Sequence, residues 1–310
     1  MLTRKTVILA KVESQYGTDP TPTVSANAIL VKNVDMKVQG ETLQRDFLKA
    51  SISQLTFVRG VRHAEVSFET ELKGTGTRGS LPAFGWEGVL FRACGMLEKV
   101  NTGVSIVYSP VSASFESCTL YVYKDGIFHK ITGCRGTFKL NFEVGKYATV
   151  SWQFSGLYND PADASPGAQT FSSVVPVPVL GASLSIGAYA AVAEKLEIDL
   201  NATLAPRRSL NAANGIVEWI IANREPQGSF DPETVTEATH TFWANWKAAT
   251  ALALNIGPIG TASGNIVTVA APKCQYKEIS YQDRSGVLAY QVPFALGMNS
   301  GDDELTITIT

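Results

Sequence analysis

Gly74, Gly76 and Gly79 match the G-x-G-x-x-G spacing that can seat a pyrophosphate on a helix N-terminus. An alternating stretch, His63 to Leu72, precedes them, and a helix-like stretch, Ser80 to Gly95, follows. The chemistry needs more than this. It requires a crossover into a parallel sheet and an acidic residue ending the second strand. Here the third glycine falls before the helix, and tight turns join the strands that follow. The spacing therefore reads as a flexible glycine loop leading into a helix, and no cofactor is expected.

Other reactive groups are equally scattered. His63, His129 and His240 stand far apart, with no H-x-x-x-H or H-x-x-E-H pattern and no G-x-S-x-G elbow. Cys94, Cys118, Cys134 and Cys274 lack C-x-x-C spacing and read as reduced, buried thiols. Neighbouring carboxylates, such as Glu69 with Glu71 and Asp302 with Asp303, sit in strand-like or tail-like contexts. They suit a solvated face or the wall of an aqueous channel better than an acid/base pair. No catalytic residue, metal or enzymatic activity is expected.

Composition points the same way. The 310 residues are 45% apolar and only 17% charged, with a formal net charge of −2. Interface cores are depleted of charge, so a low charge density suits a self-associating protein. No Lys/Arg run marks a groove for nucleic acid. No signal peptide is read, since only Val7 to Ala10 form an apolar run near the start. The uncharged stretch between Asp163 and Glu194 carries Pro176 and Pro178, which argues against a spanning helix. No membrane partner is expected.

The elements that must position any site are mostly strands. Gln15 to Thr23 is turn-rich and reads as an extended N-terminal arm. Val34, Met36 and Val38 alternate, as do Ala64, Val66 and Phe68, and the aperiodic stretch Gly40 to Gly60 lies between. A helix is predicted over Ser80 to Gly95, with Ser80 as N-cap and Pro82 in the first turn. Strands are predicted over residues 104–108, 118–123, 133–142 and 147–154, joined by turns at Lys124-Asp-Gly126 and Val144-Gly-Lys146. The second half repeats the order: a strand over Lys195 to Leu204, a loop, strands at 216–221 and 227–230, and a helix from about Pro232 to Ala251. Strands at 266–270, 276–281 and 287–294 follow, then a strand-like tail from Asp303.

This order implies two tandem antiparallel β-sandwich or half-barrel domains in a mainly β chain, each with one flanking helix. The boundaries read as residues 1–160, a linker over 161–181, and residues 182–310. Cys134 to Asn159 aligns without gaps on Cys274 to Asn299, consistent with internal duplication. Aromatic and arginine side chains beside poorly periodic loops suit interface anchors. The candidate subunit contacts are Tyr16, Phe47, Phe57, Arg59, Arg62, Trp219, Arg224, Leu305 and Ile307.

Several phrases in the first half resemble a known family. They are Lys11-Val-Glu-Ser-Gln-Tyr-Gly-Thr-Asp-Pro-Thr-Pro-Thr23, Val34-Asp-Met-Lys37, Glu69 to Gly79 with Pro82, and Leu90-Phe-Arg-Ala-Cys-Gly95. Together they resemble major tail tube proteins of siphophages and Mu-like prophages. The resemblance implies a structural virion protein of the phage tail, assembled in the host cytoplasm. Its partner would be itself, in stacked rings whose channel passes DNA without binding it specifically. Tape-measure, tail terminator and distal tail proteins would be further partners. Duplication suggests a homotrimer with pseudo-six-fold symmetry, with a hexamer as the alternative. A capsid-decorating or baseplate protein, and less so a carbohydrate-binding module, are the rival readings.

Overall fold

The computed structural model describes residues 2–81 and 86–310. The chain is mainly β, and its sheet curls into a half-barrel. The long ribbon runs from Lys32–Leu43 through Val58–Glu71, Thr149–Tyr158, Ile127–Glu143, Ala193–Asp199 and Gln227–Pro232 to Val287–Gly297. Every neighbouring pair is antiparallel. Past Val287–Gly297 the ribbon divides between Ser280–Arg284 and Val267–Tyr276, and the latter pairs on with Leu252–Ile259 and Thr306–Ile309.

Period-2 alternation sets which face is buried. Ala64, Val66 and Phe68 point into the core beside Phe138, Leu140, Phe142, Val150, Trp152 and Phe154. Leu196, Ile198, Phe230, Val292 and Phe294 continue the same layer into the second half. One hydrophobic cluster thus spans both halves. The strand Ile127–Glu143 explains how: its first part pairs with Cys118–Lys124, then Lys139 to Glu143 pair with Lys195 to Asp199. A second join places Thr306–Ile309 between Val267–Tyr276 and Ser105–Pro110.

Turn chemistry follows the sequence closely. Asp125 and Gly126 both have positive φ (43° and 105°), as do Ser285 and Gly286 (55° and 87°). That is the type I′ signature whose twist suits a two-residue hairpin. Gly95, at φ 78°, ends the first helix, Trp86–Ala93, as expected.

Other expectations need correction. The helix predicted from Ser80 includes Pro82 and Phe84, which lie outside the described residues; Ser80 and Leu81 are not helical. The second helix covers only Phe242–Lys247, because Gln227–Pro232 is a strand and turns occupy Thr236 to Thr239. Phe242 is buried, yet Trp246 is largely exposed, so the aromatic group is not wholly core. Lys195 to Leu204 is two strands rather than one. Asn201 takes φ 48°, and the chain leaves the ribbon to form the hairpin Ala202–Arg208 with Ile216–Arg224. A further strand, Met96–Asn101, pairs with Ser105–Pro110 without period-2 alternation strong enough to predict it.

The N-terminal segment does not extend away as an arm. Glu13 is buried and accepts hydrogen bonds from the Ser117 and Thr119 hydroxyls (2.6 Å each) and from the Gly17 and Gly133 N–H groups (2.7 Å each). This carboxylate ties the segment to the first half. Glu13→Ala leaves four polar groups with no protein partner, three of them on buried residues, so a loss of about 3 kcal/mol is expected from the lower end of the ~1–3 kcal/mol typical of each unsatisfied buried group. Chemical denaturation of the purified variant measures it, and an unchanged midpoint would contradict this role.

Candidate functional site

Two hairpins share one register. In the first, Met36 faces Val66, Gly40 faces Arg62, Thr42 faces Arg59 and Leu43 faces Val58. In the second, each number rises by 162 (198 − 36): Ile198 faces Gly228, Ala202 faces Arg224, Leu204 faces Ile221 and Ala205 faces Ile220. The bulges fall at the same places, just after Gly40 and just after Ala202. The hairpin between Thr149–Tyr158 and its neighbour repeats at an offset of 140 (294 − 154): Gly136 faces Phe154 as Tyr276 faces Phe294.

The sequence carries this signal more strongly than it does in the stretch after Cys134. Lys32 to Val66 runs without gaps over Glu194 to Gly228, matching Arg45 with Arg207, Leu48 with Leu210, Ala50 with Ala212 and Arg62 with Arg224. Phe57 matches Trp219. Leu48 and Leu210 are both fully exposed, at 106% and 105%.

The two copies differ in what covers them. The second hairpin lies on its own first half. The Trp219 N–H donates to Tyr16 Oη (2.7 Å), and that hydroxyl donates to the Gly133 carbonyl (2.8 Å). Burial raises the Tyr16 phenol above its ordinary pKa, so it stays a neutral donor. Arg135 stacks on the Tyr16 ring and donates to the carbonyls of Trp219 (2.6 Å), Phe115 (2.9 Å) and Glu116 (3.3 Å). The Trp219 ring packs on His63 at 5.1 Å, and Asn214 donates to the Tyr158 carbonyl (2.8 Å). By contrast only the base of the first hairpin is held, where the Arg62 N–H donates to the Asn214 carbonyl (3.2 Å); further out Phe47, Leu48, Ile52 and Phe57 are exposed.

The candidate contacts therefore separate. Phe47, Phe57, Arg59 and Arg62 are exposed on the free hairpin, with Arg59 stacked on Phe57 at 4.8 Å. Tyr16 and Trp219 meet each other inside the chain. Arg224 binds Asp302, Glu304 and the Val111 carbonyl, holding the C-terminal segment down. Leu305 and Ile307 are fully buried in their own chain, where Ile307 faces Tyr108. The alternation Leu305–Ile307 marks a buried strand, and the sequence does not tell that strand from an intersubunit one.

The ribbon's second face is polar. Glu65, Glu69, Glu71, Glu143, Glu197 and Asp199 share it with Lys139, Lys195, Ser67, Ser151 and Gln153. Lys139 pairs with Glu197 at 2.6 Å across the join between the halves. Burial would raise the Glu69 carboxyl, but Asn33 and Lys32 outweigh it and hold the group below its ordinary pKa. The face thus stays charged at neutral pH and carries more carboxylates than lysines.

The glycine loop is not a ligand cradle, nor is it loose. The Gly74 N–H donates to Asn265 Oδ1 (2.7 Å) and the Gly76 N–H to the Gly264 carbonyl (2.9 Å). The motif is a closely packed join between the halves. Among the described residues no cluster of three His, Cys, Asp or Glu could hold a metal ion. No helix among them is long and apolar enough to cross a membrane.

A family model for the phage tail tube protein matches residues 3–299, nearly the whole chain. The chain belongs to the phage tail tube protein family. No curated protein matches it significantly. As a tail tube protein it is a structural component of the virion tail, in a family of building blocks rather than enzymes. Such a protein works by assembling with itself and with other tail proteins into a tube.

Proposed function

We propose that three copies of this chain close into a ring with pseudo-six-fold symmetry, and that rings stack into a channel for DNA. The observation that carries the reading is the register repeat. Each chain holds two copies of one unit, joined side by side through paired strand edges. The two halves are taken as residues 1–160 and 182–310, with 161–181 crossing between them. A contact that joins one half to the next can be reused between chains, and a rotation that closes gives a ring.

The polar face would line the channel. Carboxylates there repel phosphate, so DNA passes without the counterion-releasing contacts that create affinity. The same field keeps the wall hydrated. The tape-measure protein would occupy this channel before ejection, with terminator and distal tail proteins capping the tube ends.

The test is electron microscopy of purified protein at high concentration. Tubes with a central channel and three chains per ring are expected. Six chains per ring would overturn the stoichiometry, and a stable monomer would overturn the function. Decoration of capsids in place of tubes would favour the capsid-protein reading.

A further inference from the structure

The register repeat identifies two surfaces that have partners inside the chain in one copy and none in the other. The strand Ala193–Asp199 pairs on both sides, with Gln227–Pro232 and with Lys139 to Glu143. Its counterpart, Lys32–Leu43, pairs among the described residues on one side only, with Val58–Glu71. Lys139 to Glu143, in turn, correspond to Ser280–Arg284. There Tyr281 faces Tyr290 as Leu140 faces Val150, and the other edge carries no strand among the described residues. The two open edges are the counterparts of the two strands that meet at the internal join.

The hairpins give the same message. The internal hairpin covers Thr137, Tyr158 and His63, through contacts from Ala202, Asn214 and Trp219. At the offsets above, the corresponding positions in the second half are Lys277, Met298 and Glu225. These three residues line one open groove of about 580 Å³, together with Arg224 and Leu296. Met298 is 67% exposed there, and Tyr281, on the open edge, is 60% exposed. The matching free hairpin presents Ile52 where the internal one has Asn214, and Phe57 where it has Trp219.

We infer that the groove at Lys277, Leu296 and Met298 receives the Gly40–Gly60 hairpin of the next copy of this chain. Phe57 takes there the place that Trp219 takes within the chain, and Ile52 covers Met298. The strand edges meet alongside in the register of the internal join. Met36 then faces Tyr281, as Ile198 faces Leu140, and Asp35 faces Gln282. Met36 and Tyr281 form the apolar pair of that join, Val34 faces Asp283 and Asn33 faces Arg284, and no like charges oppose each other. Aromatic residues seated in grooves are the usual energetic anchors of such contacts.

This inference rests on the tube reading and is tested apart from it. The probe is the full chain, assembled at high concentration and oxidised. The double variants Ile52→Cys with Met298→Cys, and Met36→Cys with Tyr281→Cys, are expected to form interchain disulfides ending at a closed trimer. Cα atoms facing across a sheet lie within disulfide reach. The native cysteines are buried, and each single variant serves as control. Phe57→Asp and Met298→Asp, both at exposed positions, are expected to lower the assembled fraction at least tenfold with unchanged circular dichroism. Wild-type tubes without crosslinks, or normal assembly of both aspartate variants, would overturn the inference and leave the tube reading intact. Failure of the wild type to assemble would remove the tube reading itself.

Discussion

Trp152→Ala is expected to lower stability more than any other substitution considered, by about 4–6 kcal/mol, combining the ~3–5 kcal/mol of a large-to-small aromatic deletion with a stranded polar group. Trp152 is 2% exposed and lies between Phe91 (4.9 Å), Phe138 (5.6 Å) and Phe154 (6.1 Å). Its indole N–H donates to the Thr70 hydroxyl at 2.8 Å, and Thr70 is itself buried. Deletion opens a cavity walled by rings that sit on two strands and a helix, which cannot collapse together. Trp152→Phe keeps most of the volume and loses the hydrogen bond, so about 1–2 kcal/mol is expected. Denaturant midpoints at equal m-value check both. Equal losses for the two variants would refute the cavity argument.

Gly74→Ala is expected to cost about 3 kcal/mol, at the upper end of overpacking plus a lost hydrogen bond. A Cβ there would lie 2.0 Å from the Gly264 carbonyl oxygen and 2.5 Å from Asn265 Cα. Both obstacles are backbone, so no side-chain rotation relieves them. The two loops must part, which breaks the Gly74–Asn265 and Gly76–Gly264 hydrogen bonds. Because Asn265 also donates to the Val175 carbonyl (2.9 Å), the crossing segment loosens too. Gly40→Ala is the control: its nearest neighbours are the flexible Arg59 and Arg62 side chains at 3.8 Å, and a change under ~1 kcal/mol is expected. Limited proteolysis between residues 161 and 181 provides a second readout. Unaltered cleavage and an unaltered denaturation midpoint would show that the loops are not a rigid join.

The residues declare the strands better than they declare what the strands touch. Alternation at Val34–Met36 and Ala64–Phe68 gives the correct faces because one side of the ribbon is core and the other is wet, whereas Val38, in phase with them, is exposed. Asp125-Gly126 and Ser285-Gly286 give the hairpins because few other pairs accept two positive φ values. Gly74-x-Gly76-x-x-Gly79 misleads because spacing cannot distinguish a glycine kept for a ligand from one kept for a neighbouring backbone. The division of Lys195 to Leu204 at Asn201 depends on a tertiary choice: residues before it stay in the ribbon, and those after it leave to cover the first half. Likewise Tyr16, Trp219 and Phe57 look alike as exposed anchors in sequence. Only the three-dimensional docking of one hairpin separates an internal anchor from a free one. The long repeat hides because its few identities, such as Arg62 with Arg224, sit among residues under no common burial.

The two open edges have a kinetic meaning. They differ in sequence, so the contact that joins one to the other is heterologous, head to tail. In the proposed ring, each chain added to a growing arc would use one edge and one groove and present another of each. An arc is therefore as sticky after every addition as before, until the last contact seals it. Loss of a chain from a sealed ring must then break two joins at once, whereas loss from an arc breaks one. Incomplete rings should be short-lived, and subunit exchange from finished ones should be slow. That is a useful property in a conduit that must not leak at a missing segment.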